Sequence, residues 1–255
     1  MKNILTIAKF TFKDIVKSRV LYLTFWIALF ILTLSYITSE FSYGNVLRIS
    51  IDFGLGGASL AANILAIFVG VNVLSDEIES RTIYITLSRP ISRVKFLLGK
   101  ILGVSSILVL SSFVIFGTSL IVYLLRGGAL DGVIINSLFL GILESTLLFL
   151  IVLFFSLITS RALSVINTVV IYFVGHAITH ISSLSFVKDR EGLELILRIY
   201  KAVLPDLNLL NYKPFVFNSN LVSNQNIMNS YLYGLAYILV LSFINAYVFK
   251  NKELS

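Results

Sequence analysis

Cysteine is absent from this sequence, which excludes disulfide staples, thiolate catalysis and Cys-ligated metal centres, and leaves no trace of the redox compartment. Two methionines and two histidines leave little soft-metal chemistry. Charge is scarce as well: Asp, Glu, Lys and Arg make up 13% of the chain, against about 25% in a typical soluble protein. In their place stand apolar side chains, 57% of the 255 residues, with a mean hydropathy of +0.94. An ordinary soluble domain is excluded, because so much apolar surface needs a solvent other than water, and the bilayer is that solvent.

A hydrocarbon core of about 30 Å is crossed by roughly 20 helical residues. Six apolar stretches of about that length, without clustered charge, lie at 20–38, 56–74, 101–125, 133–158, 163–184 and 230–249. Their apolar runs are continuous rather than alternating, which predicts helices, the form that satisfies every backbone group in lipid within one segment. The first run is followed by Thr38-Ser-Glu-Phe41 rather than a small-x-small cleavage site, so it is expected to be a retained span and not a signal peptide. The fold expected is all-α, a single transmembrane domain over residues 1–255.

An even number of spans puts both termini on one side. That side holds thirteen basic residues and five acids: Lys2, Lys9, Lys13, Lys17 and Arg19 before the first span; Arg81, Arg89, Arg93, Lys95 and Lys100 in the 75–100 loop; then Arg161, Lys250 and Lys252. The opposite side has seven basic residues (Arg48, Arg126 and five in the 185–229 loop), matched by seven acids. The positive-inside rule therefore predicts cytoplasmic N- and C-termini in a cytoplasmic (inner) membrane.

Three segments are more than connectors. On a helical wheel Ile4, Leu5, Ala8, Phe12, Ile15 and Val16 fall within an arc of about 120°, with Lys2, Lys9, Lys13 and Lys17 beside it. This reads as an interface helix over residues 1–19 with its lysines toward anionic lipid or a partner, although topogenic lysines alone give the same pattern. In the 75–100 loop, Asp76 can cap a short helix with Glu79 three residues on, Arg89 before Pro90 breaks it, and Ser92 can cap a restart running through Lys100 into the third span. A rigid, charged helix between two spans suits docking to another protein, and solvated topogenic charge is the alternative. In the 185–229 loop, Leu193, Ile196, Leu197, Tyr200, Val203 and Leu204 share one helical face, ended by Pro205, and the helix either lies on the outer leaflet or dips in to cover the spans. The Asn/Ser-rich run at 218–226 reads as a solvated loop.

The residues Glu77-Ile-Glu-Ser-Arg-Thr82, Leu87-Ser-Arg-Pro90, Ser92-Arg93 and Gly99-Lys100 resemble the loop signature of the type-two, exporter-type family of ABC transporter permeases. The basic amphipathic start, the six spans and the long loop before the sixth are similar to that family's layout, as is Leu204-Pro-Asp-Leu-Asn-Leu-Leu-Asn211 to its Pro-Asn-Leu segment. Arg81 departs from many members, which carry Gly there. A weaker likeness runs to the permease of the copper-processing ABC system of nitrous oxide reductase maturation. The resemblance implies that a separate cytoplasmic ATPase subunit holds ATP and magnesium. It also implies that Asp76, Glu77, Glu79, Arg81, Thr82, Arg89, Pro90 and Arg93 form a coupling helix in the groove of that ATPase. Two permeases would pair, as a homodimer or heterodimer, with an extracytoplasmic accessory protein as a further partner. Gly99-Lys-Ile lacks the Ser/Thr and the upstream Gly of a phosphate loop, so this chain is not expected to bind ATP itself, and nothing points to nucleic acid.

Glu144 falls near the middle of the fourth span, where an ionisable group costs at least ~2.5 kcal/mol and marks a functional candidate. With Asn136, Ser145 and Thr146 it reads either as the lining of a transport path or as an interhelical packing latch, with no obvious ion-pair partner in another span. His176 and His180 share a face of the fifth span, but without further ligands nearby they suit interhelical hydrogen bonding near the outer surface better than metal. No paired nucleophile and base is evident within the spans, so an intramembrane enzyme is disfavoured. The alternatives that remain are a stand-alone secondary transporter or channel, which would usually show broken helices or repeats, and a permease doing mechanical work on an outer partner.

Overall fold

The computed structural model describes residues 2–42, 44–79, 92–183, 191–218 and 222–252, and every regular element among them is helical. The first helix, α1 (Lys2–Lys17), ends where the Ser18 hydroxyl donates to the Ile15 carbonyl at 2.6 Å, and the chain then turns into α2 (Val20–Glu40). Next comes α3 (Val46–Glu79), 34 residues or about 50 Å long, well beyond a hydrocarbon core. It starts ten residues earlier than the apolar pattern suggests, because Arg48 and Asp52, an i,i+4 pair at 3.7 Å, carry the helix outward through polar sequence. At its other end it runs unbroken through Asp76 to Glu79, so Asp76 lies in the body of α3 rather than capping a new helix. No Gly or Pro stands between Leu74 and Glu79 to stop it.

Ser92 caps α4 (Arg93–Leu125), its side chain accepting from the Lys95 amide at 3.4 Å, and Asp131 caps α5 (Gly132–Ile158) by accepting from the Gly132 amide. α6 (Arg161–Ser183) and the amphipathic α7 (Glu191–Val203) follow, then two 3₁₀ turns, Leu207–Leu210 and Lys213–Phe215, and α8 (Asn224–Asn251). Asn224, Gln225 and Asn226, read from sequence as solvated loop, form the first turn of α8, because Ser223 caps it by accepting from the Gln225 amide at 3.3 Å. Residues 219–221 lie outside the described residues.

Among the described residues, six helices are long and apolar enough to cross a membrane: α2, α3, α4, α5, α6 and α8. They are not equivalent. In α5, 78% of the most apolar window is buried within the chain, against 22% in each of α2, α6 and α8. So α5 is the axis of the bundle, packed most extensively against α3 and α8, while α2, α6 and α8 turn large apolar side chains such as Trp26, Phe173 and Phe243 outward, as lipid contact requires. Hydroxyl and amide groups link the helices: Thr24 to Ser111 at 3.1 Å, Ser35 to the Ser50 carbonyl at 2.8 Å, Ser112 to Ser145 at 3.4 Å, and Asn245 to the Leu150 carbonyl at 3.1 Å.

The two ends of the bundle carry the groups that the charge census separates. At one end α1 lies along α4, the Arg93 guanidinium donates to the Lys252 carbonyl at 2.8 Å, and the Phe96 and Phe249 rings stack at 6.1 Å. At the other end Arg126 pairs with Glu40 and lies 4.6 Å over the Tyr36 ring.

Candidate functional site

Glu144 is the thirteenth of the 27 residues of α5 and is fully buried. α3 runs beside α5 and brings in Asn63, itself 3% exposed, whose amide donates to Glu144 Oε1 at 2.8 Å. From α6, His176 Nε2 lies 3.0 Å from the same oxygen, with the Tyr172 ring edge-on to the imidazole at 4.8 Å. One carboxylate oxygen thus joins three helices at the mid-depth of the bundle. The sequence left Glu144 without a partner in another span, and His176 corrects that; His176 makes the interhelical hydrogen bond expected of it, but at the mid-depth of the bundle rather than near one surface. α6 begins at Arg161 and places residue 176 fifteen residues in, about 23 Å along its axis, within reach of the middle of α5.

A second basic group approaches from the segment between α7 and α8. Lys213, in the second 3₁₀ turn, is half-buried and close enough for its charge to act on Glu144. Desolvation holds its ammonium below the ordinary lysine range, while the Glu144 carboxylate pulls the other way. Among the described residues, Glu144 Oε2, Asn63 Oδ1 and Ser59 Oγ are buried with no hydrogen-bond partner. Ser59 and Asn63 are four apart on α3 and share a face. Buried acceptors left unpaired in a membrane interior are costly, and a carboxylate held among them is a functional candidate.

The loop that supplies Lys213 is anchored rather than draped. Thr179 of α6 donates to Asp206, the Tyr233 hydroxyl of α8 accepts from the Asp206 amide at 2.6 Å, and Tyr212 meets Ser230 at 3.0 Å. Leu207 and Leu210 are buried between α5, α6 and α8. The segment that dips in is therefore 205–216. α7, the amphipathic candidate for that role, leaves Ile199, Tyr200 and Val203 exposed.

The other site candidates disperse. Asn136 lies about two turns from Glu144 toward the start of α5, where it donates to the Gly132 carbonyl and accepts from the Tyr231 hydroxyl at 2.9 Å, joining α5 to α8. His180 is on α6 one turn from His176, but its side chain lies outside the described residues, as do the side chains of Asp76, Glu77 and Glu79 and the whole of Arg81, Thr82, Arg89 and Pro90. Arg93 opens α4 and reaches Lys252. Sequence reasoning missed Asn63, Lys213 and Asp206. For Asn63 a signal existed, since an amide inside an apolar span calls for a partner in another helix.

Near the start of α4, α1 is held against it at two glycines. A Cβ at Gly99 would lie 2.7 Å from the Ile7 Cβ, and one at Gly103 would lie 2.7 Å from both the Ala8 carbonyl oxygen and the Thr11 Cβ. Only glycine permits that approach. The contact uses Ile4, Ile7, Ala8 and Thr11, and it leaves Leu5, expected on the inner arc, 63% exposed.

No curated protein matches the chain. Among the described residues, six candidate membrane helices around a polar midpoint, with a basic amphipathic helix clamped at one end, describe a multi-pass membrane protein. The family model for the ABC-2 family transporter protein matches residues 5–254, and the chain belongs to that family of ABC permeases.

Proposed function

We propose that this chain is the membrane-spanning subunit of an ATP-driven exporter in the cytoplasmic membrane, with both termini in the cytoplasm and ATP hydrolysed by a separate subunit docked on residues 75–100. The observation that carries the reading is mechanical. α3 continues through Glu79 and α4 starts at Arg93, so whatever grips the residues between them holds two long helices that run beside Glu144. α1, seated on Gly99 and Gly103, braces the base of α4. Displacement of the loop is then transmitted along α3 and α4 as rigid bodies. Asn63, on α3, moves relative to Glu144, on α5, and the midpoint of the bundle opens or closes.

In this mechanism Glu144, Asn63 and His176 form a polar seat on the transport path, and the orphaned acceptors Glu144 Oε2 and Asn63 Oδ1 favour cargo or water that donates hydrogen bonds. Asn136 lines the outer part of the same path. Two such permeases pair over two ATPases, surrounded by lipid, and the anchored 205–216 segment is where an extracytoplasmic accessory protein would make contact. Charge reversal, Glu77→Lys with Glu79→Lys, tests the docking. Co-purification of the ATPase is expected to be lost with membrane insertion intact, and unchanged co-purification and transport refute the assignment.

The buried Glu144–His176 pair favours one other reading, a secondary transporter driven by protons. Solute movement by the purified chain alone, without nucleotide, is the result that would select it.

A further inference from the structure

Three oxygen atoms beside the midpoint of the bundle are not used by the protein itself. Glu144 Oε2, Asn63 Oδ1 and Ser59 Oγ belong to side chains at most 3% exposed, and among the described residues none has a hydrogen-bond partner. Other hydroxyls in the spans fold back onto their own helix, as Ser145 does to the Ile142 carbonyl at 2.9 Å and Thr168 to the Ser164 carbonyl at 2.8 Å. Ser59 makes no such bond. Its direction follows from Gly70, where a Cβ would run into Val152 and Phe149, so that face of α3 is the one packed on α5. At 100° per residue Ser59 and Asn63 lie within about 20° of Gly70, and both look toward α5, as the Asn63 bond to Glu144 requires. Near the start of α3, where Arg48 lies 6.0 Å from the Phe217 ring, the Lys213–Phe215 turn packs on α3 and α5 together. It hangs Lys213 over the same groove, close enough for the ammonium charge to act on Glu144.

We propose that Glu144, Asn63 and Ser59 bind a primary ammonium group, and that a cargo amine enters by replacing the Lys213 ammonium as the cation beside the carboxylate. Donor count selects the ligand. A primary ammonium has three N–H donors for three free acceptors, whereas a hydroxyl has one donor and a quaternary ammonium has none. The charge balance permits it, because exchanging one ammonium for another leaves the net charge of the groove unchanged. An anion would pair with Lys213 but meet the carboxylate and two further acceptors. The flexible four-carbon stem of Lys213 lets its head withdraw while the 205–216 segment stays anchored. The inference rests on the reading of Glu144 as the polar seat of the transport path and names what sits there.

The test titrates the purified full-length chain, in detergent and without ATPase, with propylammonium, tetramethylammonium or 1-propanol and follows the melting temperature, which rises with ligand bound to the folded state. Wild type is expected to show a saturable rise with propylammonium alone. Glu144→Gln removes a charged acceptor and is expected to weaken the apparent affinity at least about tenfold; Ser59→Ala removes a neutral one and is expected to weaken it about fivefold. Lys213→Met removes the competing ammonium and is expected to tighten binding at least about threefold. Ser59→Ala and Lys213→Met move the affinity in opposite directions, which keeps the test decisive should Glu144→Gln fold poorly. Weaker binding in Lys213→Met means that the lysine holds the ligand and overturns the exchange. Equal responses to propylammonium and tetramethylammonium mean attraction of any cation and overturn the donor match. Affinity unchanged in both Glu144→Gln and Ser59→Ala overturns the site, as does the absence of a saturable rise in wild type. ATP turnover by Glu144→Gln in the reconstituted complex reports on the path separately, so failure of the amine site and failure of the transport reading are told apart.

Discussion

Replacing Glu144 separates a transport role from a packing role, because the structure makes the two respond differently to three variants. Glu144→Leu removes two interhelical hydrogen bonds, from Asn63 at 2.8 Å and with His176 at 3.0 Å. Such bonds are worth about 0.6 kcal/mol on average and up to about 1.7 kcal/mol in helical membrane proteins. The substitution also leaves the Asn63 amide buried without its acceptor, at about 1–3 kcal/mol. A loss of about 2–4 kcal/mol is expected. Asn63→Leu combined with Glu144→Leu removes both partners at once and is expected to recover most of that loss, since two apolar groups in place of a hydrogen-bonded pair are nearly neutral. Glu144→Gln keeps the oxygen that accepts from Asn63 and should cost less than about 1 kcal/mol. The assay pairs unfolding of the purified permease in detergent with ATP turnover of the reconstituted complex. If Glu144 is the polar seat of the path, turnover falls at least about tenfold in Glu144→Gln and in the double variant, both of which stay folded. Turnover that simply follows stability across the three, with the Gln variant close to wild type, refutes the transport role.

Other consequences are equally accessible. Gly103→Val places its Cβ 2.7 Å from the Ala8 carbonyl oxygen, an overpacking of about 1–3 kcal/mol; α1 is expected to lift from α4, seen as faster trypsin cleavage at Lys17 and Arg19 together with weaker ATPase co-purification. Arg93→Ala removes the bond to the Lys252 carbonyl and is expected to speed trypsin cleavage at Lys250, and an unchanged digestion rate counts against the tether. Lys213 is held below the ordinary lysine value of 10.5, so below that pH the unfolded chain binds more protons than the folded one and stability rises with pH. The melting temperature of wild type should therefore gain on that of Lys213→Met as pH climbs from neutrality toward 10.5, and a constant difference contradicts the burial of the ammonium.

The architecture was legible in the sequence because lipid imposes few solutions. Apolar runs of span length predicted six helices, and Ser92 and Asp131 capped two of them where the chain turns. The errors came at polar ends. Helical spacing of Arg48 with Asp52, and an uninterrupted Leu74–Glu79 run, extended α3 past both limits of its apolar stretch, which hydropathy could not register. The site was harder to read. Glu144 stood out by its depth alone, but its partners come from positions 63, 176 and 213, and only the packing of α3, α6 and the 205–216 segment on α5 brings them together. The wheel for α1 found an amphipathic helix but misjudged Leu5, because the face that packs is chosen by Gly99 and Gly103 on another helix.

The pinning of residues 205–216 has a consequence for how the bundle can open at that end. With Asp206 joined to Thr179 and Tyr233, Tyr212 joined to Ser230, and Leu207 and Leu210 sunk between three helices, this stretch behaves as a stopper fixed to α6 and α8 rather than a hinged flap. On the proposed path, passage past Glu144 must then either part α6 and α8 from α5 with the stopper riding along, or break its fastenings one by one. Disulfides engineered between the stopper and α5 would arrest the first motion and spare the second.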